Sequence, residues 1–311
     1  MSSKNDYATF GVCIGCFILT ALILAVLLNG MVIYGLAKYY KQLDFSGIIV
    51  LSLSISDITA PICAYPLSAY SSLQAVWKFG DNGCYWYGFV TTLTGLCSIN
   101  HLMLLSIERY ITLVLPLRRE ELLDKTKVLV AIAFCWIFSF CWAIAPVFGW
   151  SEYRLEGIKT MCSINWQSRS SLDFAYNILL FILCFLVQEI VIIFCHQRTL
   201  REVKKMTLRA VGTHGSNSQT YLDLVKVEKQ QFFVVLFMVM GFNFAWLPYA
   251  ITSLMIIMDL QHLVSPIAES LPAMFAKSAV VYNPLIYFVS NKLFRLMLCG
   301  RNVVVTPSEL E

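Results

Sequence analysis

Lys277 is the one lysine deep inside an apolar run. It lies in Met274 to Tyr287, which reads MFAKSAVVYNPLIY. A lysine near the middle of a membrane helix costs about 2.5–3.5 kcal/mol even on lenient insertion scales, so it is paired or put to use. A neutral amine in a dry apolar wall is a nucleophile that condenses with an aldehyde to a Schiff base. Two other readings stand beside this one: a lysine that snorkels, although either end is several turns away, and a lysine paired to a buried carboxylate. Six residues on, Asn283-Pro284-Leu285-Ile286-Tyr287 places a proline in the same run. Proline removes a backbone donor and weakens the helix, and asparagine and tyrosine nearby are placed to satisfy the freed groups. Asp57 is an acid deep in another run, costly unless it is hydrogen-bonded or near a cation or water. Gln188 and Glu189 also need partners. Glu189 faces either span six or span three, and His196 reads as a packed histidine rather than a ligand.

The elements that must position these groups follow from composition. Of 311 residues, 58% are hydrophobic and only 14% charged, well above the ~45–50% apolar content of soluble domains. Several apolar runs of ~20 or more residues define a polytopic membrane protein. Seven spans are predicted, at about 8–37, 47–72, 82–114, 127–149, 173–197, 230–257 and 264–289. Outside the spans, the lysines and arginines divide 16 to 5 between the two sets of loops, with Arg109 and Lys277 set aside as within spans. The positive-inside rule therefore puts the C-terminus in the cytoplasm and the N-terminus outside. The expected fold is all-α, a seven-transmembrane helix bundle forming a single domain over 1–311. A short amphipathic helix, 291–299, would lie on the membrane surface, with Cys299 as a palmitoylation site. Loop three, Arg198 to Lys229, is basic and polar, and its middle, Gly212 to Ser218, reads as disordered. The 11 cysteines sit mostly in apolar runs and read as small hydrophobes, not a metal set. The first apolar run is too long for a cleaved signal peptide.

Asn283 to Tyr287 resembles the NPxxY motif of rhodopsin-like G-protein-coupled receptors. With a lysine six residues before it, the segment looks like helix seven of an opsin. The resemblance covers nearly the whole chain and includes Asn29, Asp57, Cys84, Glu108-Arg109-Tyr110, Trp136, Cys162, Trp246-Leu247-Pro248-Tyr249 and Lys277. It implies a retinal chromophore, 11-cis or all-trans, held covalently on Lys277 and isomerised by light. Asp57 matches the water- and sodium-associated acid of the class. Cys84 and Cys162 both fall on the external, oxidising side. A bond between them would clip the loop after span four over the bundle as a lid, with two free thiols as the alternative. Glu108-Arg109-Tyr110 matches the ionic lock, and Glu228 before span six is the acid across the membrane lip. A snorkelling Arg109 and a merely solvated Glu228 remain open.

Cys84-Tyr85-Trp86-Tyr87, WKFG, CSINW and AKSxxxYNPxIY look most like the peropsin, neuropsin and retinal-isomerase branch. Tyr87 occupies the position where visual opsins of vertebrates carry their glutamate counterion, and a phenol, neutral at pH 7, cannot balance a protonated imine. Glu156 in the lid matches the alternative counterion position. By the same match the retinal pocket would be lined by Gly88, Thr92, Tyr153, Phe181, Cys184, Phe185, Phe242, Trp246, Tyr249 and Ala273. Trp246 to Tyr249 resembles the family's toggle and kink. Span five departs from the family, with Gln188 where many members have proline and His196 where many have tyrosine.

The resemblance thus implies a light-sensing receptor in the plasma membrane that activates a heterotrimeric G protein. Arrestin and a receptor kinase are further implied partners, and nucleic acid is not. The competing reading is a retinal photoisomerase, all-trans to 11-cis, with weak or no coupling. Lys277 disfavours a receptor for a diffusible ligand, and the absence of an inverted repeat disfavours a transporter.

Overall fold

The computed structural model describes residues 2–212 and 218–290. The amphipathic helix expected over 291–299, Cys299, and the centre of loop three lie outside the described residues. The helices are α1 (Ser2–Lys38), α2 (Phe45–Cys63), α3 (Tyr65–Leu73), α4 (Gly80–Val114), α5 (Arg119–Leu122), α6 (Lys125–Ile144), α7 (Ser171–Phe181), α8 (Val187–Gly212), α9 (Ser218–Ile257), α10 (Pro266–Ala276) and α11 (Ala279–Ser290).

Among the described residues, six helical stretches are long and apolar enough to cross a membrane. The seventh span, predicted as one helix over 264–289, is split into α10 and α11, each too short to cross alone. Span two is likewise broken at Ala64, with Pro66 in the first turn of α3, where a missing N–H is harmless. Asp44, Asp124, Ser170 and Ser265 cap α2, α6, α7 and α10 by accepting from backbone N–H groups. That bond, from Lys127, holds the Asp124 carboxyl below the usual carboxylate range. Loop three is shorter than expected, because α8 runs to Gly212 and α9 starts at Ser218.

Four apolar clusters hold the bundle among the described residues. The largest buried cluster joins α1, α2, α4, α6, α8 and α9 through residues such as Leu53, Leu102, Leu105 and Met238. Outward-facing Phe134, Ile190 and Phe244 are more than 60% exposed; on a membrane bundle that surface faces lipid rather than water. Helix α4 runs through the centre and touches α2, α6, α8 and α9.

Among the described residues, the loop after α6 holds the one sheet. It folds as a hairpin, β1 (Tyr153–Glu156) against β2 (Met161–Ile164), with Leu155 opposite Cys162 and Glu156 opposite Met161. Its turn holds Gly157 at φ 53 and Lys159 at φ 65. Cys162 is bonded to Cys84 at the start of α4, with the two Cα atoms 5.5 Å apart. Ile158 N–H donates to Ser270 on α10 at 2.9 Å, and Ser72 on α3 donates to Thr160 at 3.0 Å. The loop is therefore clamped to three helices as a lid.

Candidate retinal-binding and switching site

Under the lid lies a cavity of about 160 Å³ that reaches inward to Asp57 and Asn283. Lys277 forms part of its wall, at the break between α10 and α11. The backbone N–H groups of Lys277, Ser278 and Val281 bond three residues back, to Met274, Phe275 and Ser278. This tightening leaves the carbonyls of Ala273 and Lys277 without their usual helical donors. The Lys277 amine takes the first at 3.0 Å, and the Tyr65 hydroxyl takes the second at 3.0 Å. Pro284, lacking an N–H, frees the carbonyl of Val280, and Asn29 on α1 donates to it at 2.9 Å. Asn283 itself is spent elsewhere, so the expectation that it repairs the proline kink is corrected: it donates to Asp57 at 2.9 Å. Ser98 donates to the other oxygen of Asp57 at 2.6 Å, which gives this buried acid two partners.

Thr92, Phe181, Cys184, Phe185, Phe242, Trp246, Tyr249, Ala273, Lys277 and Glu156 all line the cavity. Phe181, Cys184 and Phe185 are aimed there by a π-helical turn, Ile182–Leu186, between α7 and α8; such turns recur at functional sites. Tyr87, Gly88 and Tyr153 do not line it. Tyr153 turns its hydroxyl away to the Ala143 carbonyl on α6, at 2.7 Å. Its ring lies on Gly88, where an added Cβ would come within 2.3 Å of it. Tyr87 is fully buried, its ring 5.8 Å from the Lys277 amine and its hydroxyl without a partner among the described residues. Ser163 and Trp166, from the CSINW stretch, also line the cavity, as do Tyr65, Gly95 and Leu180, which lie in none of the motifs quoted above. Tyr65 and Leu180 belong to no short pattern, and only three-dimensional packing brings them in.

Glu156 is buried, with Tyr249 donating to it at 3.3 Å. The walls are aromatic and aliphatic, with few polar groups and one half-buried amine. That chemistry fits a covalently held polyene aldehyde such as retinal.

At the cytoplasmic end of the bundle, Arg109 sits within a five-residue cluster. It pairs with Glu108 at 2.5 Å and with Glu228 on α9 at 3.4 Å. It also donates to Ser46 on α2 at 2.9 Å and to Gln231 on α9. Tyr110, the next residue, packs against Phe194 of α8. Glu228 is thus engaged rather than solvated. Glu189 resolves toward span six, where Asn243 donates to it at 3.2 Å. Gln188 donates to Asn100 of α4 at 3.2 Å. His196 packs on Phe232 and bonds the Ile192 carbonyl one turn back. Cys13 and Cys16 face outward on α1, and no group of metal-ligating side chains occurs among the described residues.

Residues 28–287 match the family model described as "7 transmembrane receptor (rhodopsin family)". Parapinopsin of Ictalurus punctatus is 31% identical over 283 residues, 89% of this chain and 79% of that protein. Pinopsin of Columba livia is 31% identical over 304 residues, 96% of this chain and 83% of that protein. The fold superposes on the crystal structure of squid rhodopsin with a TM-score of 0.87 and 29% identity, covering 94% of this chain and 85% of the other. The break at Lys277, the clamped lid, the Arg109 cluster and these likenesses agree: the chain is a multi-pass membrane protein of the rhodopsin family of seven-transmembrane receptors, and within that family it belongs to the opsins.

Proposed function

We propose that the protein is a light-sensing receptor of the plasma membrane that holds retinal through a Schiff base on Lys277 and activates a heterotrimeric G protein. The observation that carries the reading is the Lys277 amine. It stands in the wall of an apolar cavity, and its hydrogen-bond partner among the described residues is a backbone carbonyl rather than a carboxylate. When bound, retinal supplies light-driven isomerisation about a polyene double bond. The chain's own residues bind, orient and transmit. Phe181, Phe185, Phe242 and Trp246 exclude water from the polyene's place, and Glu156 supplies the negative charge that a protonated imine needs in a low-dielectric site.

Phe242 and Trp246 stack 5.7 Å apart on α9, with Trp246 two residues before Pro248. Pressure on Trp246 therefore acts on a helix already weakened at its proline. At the far end of α9, Glu228 and Gln231 are tied to Arg109. Swinging α9 outward breaks those ties and opens a cleft for the G protein. Arrestin and a receptor kinase would read the same open state.

The test replaces Lys277 with alanine, loads the protein with 11-cis or all-trans retinal and reduces with borohydride. Wild type should retain the label and the variant should not; a persistent adduct in Lys277→Ala defeats the reading.

A retinal photoisomerase with weak coupling is the second reading, favoured by Gln188 and His196. Gln188 is committed to Asn100 of α4, and His196 to the Ile192 carbonyl one turn back on α8. Extracting retinal before and after light, alongside a nucleotide-exchange assay, separates the two.

A further inference from the structure

One hydroxyl in the cavity wall has no partner in the protein. Tyr65, Thr91, Thr94, Ser98, Ser163 and Tyr249 all line the cavity, and each hydroxyl donates to a protein acceptor. Thr92 interacts with the Tyr153 hydroxyl. Ser253 on α9 lines the cavity too and is only 3% exposed, yet its hydroxyl makes no hydrogen bond among the described residues. A serine or threonine inside a helix commonly returns its hydroxyl to the carbonyl four residues back. Ser98 does so to Thr94 at 2.9 Å, and Thr252, next to Ser253, does so to Pro248 at 2.9 Å. The matching carbonyl for Ser253 is that of Tyr249, and the bond is not made. An unpaired hydroxyl in an apolar wall is costly, so a ligand that pairs it gains what an apolar ligand does not.

The fold puts Ser253 at the end of the cavity away from the amine. Lys277 stands at the break between α10 and α11, which pack on α9, α1 and α2. The facing wall presents Leu180, Phe181, Cys184 and Phe185, from α7 and the π-helical turn before α8. There α7 packs on α9, and α8 on α4 and α9. A chromophore held by Lys277 therefore points its far end at α7 and the π-helical turn. Phe242, Trp246, Tyr249 and Ser253 recur at helical spacing as one stripe of α9 along the cavity. Ser253 closes that stripe, one turn before α9 ends at Ile257. The chain after β2 seals this corner. Arg169 donates to the carbonyls of Ile256 and Ile257 at 2.9 and 2.8 Å, and Asn177 of α7 donates to the Asn165 carbonyl at 3.0 Å. The remaining walls there are hydrocarbon, apart from the Cys184 thiol, which is a weak acceptor.

We infer that Ser253 is a specificity-determining residue of the cavity, and that the polyene aldehyde it selects carries a hydroxyl on the ring at its far end. This selectivity rests on the reading of Lys277 as the point of attachment. A hydroxyl both donates and accepts, so Ser253 and a ring hydroxyl pair whichever of them turns its proton to the other. A wholly apolar wall barely distinguishes a ligand from its hydroxylated analogue. A wall with a buried polar group disfavours the analogue that leaves that group unpaired. Plain retinal lays hydrocarbon against Ser253; a hydroxylated ring does not.

The experiment is a competition on the full chain in lipid bilayers, in the dark. Protein is incubated with an equimolar excess of retinal and 3-hydroxyretinal, and separately of retinal and 4-hydroxyretinal, each as the 11-cis and the all-trans isomer. Borohydride fixes the adducts, and mass spectrometry of the Lys277 peptide reads their ratio. Wild type should favour at least one hydroxylated aldehyde by roughly fivefold, the size of one net hydrogen bond. Ser253→Ala should bring the ratio to parity, and Ser253→Thr, which keeps the hydroxyl, should retain the preference. Parity in wild type with both hydroxylated aldehydes overturns the inference, because water would then pair Ser253 as well as a ligand does. So does a preference that survives in Ser253→Ala. Should that variant fail to fold, Ser253→Cys, with a weakly bonding thiol of similar size, is read in its place. A Lys277 adduct without preference defeats the selectivity alone. No Lys277 adduct with any of the aldehydes defeats the attachment reading, and the role of Ser253 with it.

Discussion

Lys277 illustrates how one side chain serves two ends. Its position at the helix break strands the carbonyl of Ala273, and its own amine caps that carbonyl. A substitution here therefore removes both the proposed attachment point and a backbone partner. Gly157 is constrained more simply. It has φ 53, and a Cβ would lie 2.0 Å from the Ser270 hydroxyl oxygen. Gly157→Ala should push the hairpin turn off α10 and break the Ile158 to Ser270 bond. We expect a loss of about 1–3 kcal/mol, from left-handed strain and overpacking together, measured as a drop in thermal midpoint in lipid. Gly80, also at positive φ, has open space around its Cβ direction. Gly80→Ala should cost less, which separates strain from collision.

Span five shows how an element is held without the expected proline. The π-helical turn forms between Ile182 and Leu186 without a proline in α7 or α8. Below it, Gln188 donates to Asn100, which in turn donates to Ser139 on α6 at 3.1 Å. Three helices are thereby joined by side-chain amides and a hydroxyl. The Gln188 carbonyl oxygen is buried and has no partner among the described residues. Two substitutions should therefore differ. Asn100→Leu leaves the Gln188 amide unpaired at both ends and should cost about 1–3 kcal/mol. Gln188→Leu also removes the orphaned oxygen and should cost less. Thermal unfolding of the two variants side by side checks the order; the reverse ranking would show that the seam is held by packing instead.

Across the whole molecule, two fastenings lie at opposite ends of the bundle. The Cys84–Cys162 bond joins residues 78 apart in sequence, worth a nominal ~4 kcal/mol in the chain-entropy model. Replacing both cysteines with alanine should lower stability by about 2–5 kcal/mol and loosen the lid, read as faster hydrogen exchange at Leu155 and Ser163. At the cytoplasmic end, Arg109 ties α4 to α2 and α9. Glu228→Gln removes one charge from that cluster and should favour the open state by about 1 kcal/mol, roughly fivefold in population. Dark nucleotide exchange by an added G protein should rise accordingly. If neither wild type nor variant drives exchange on any G-protein class, the photoisomerase becomes the better reading.

The sequence alone determined the number of spans, their orientation and the lysine proposed as the point of attachment. Each of these is a property of local composition: apolar runs of sufficient length, charges divided between loops, and one lysine where a lysine is costly. It also determined the motif residues, including Asp57, Cys84, Cys162, Glu108, Arg109 and Trp246. Tertiary structure alone decided which of them meet. Asn283 and Asn29 lie 254 positions apart in the chain, yet the nearer asparagine binds Asp57 while the distant one repairs the carbonyl freed by Pro284. Tyr153 matched the pocket pattern but turned to the Ala143 carbonyl, because a buried phenol seeks an acceptor and the free one lay behind the wall. The hairpin went unread since its strands are four residues each, with no long alternation to reveal them. Hydrogen-bond partners are chosen by distance in space, and no periodicity in the chain encodes that distance.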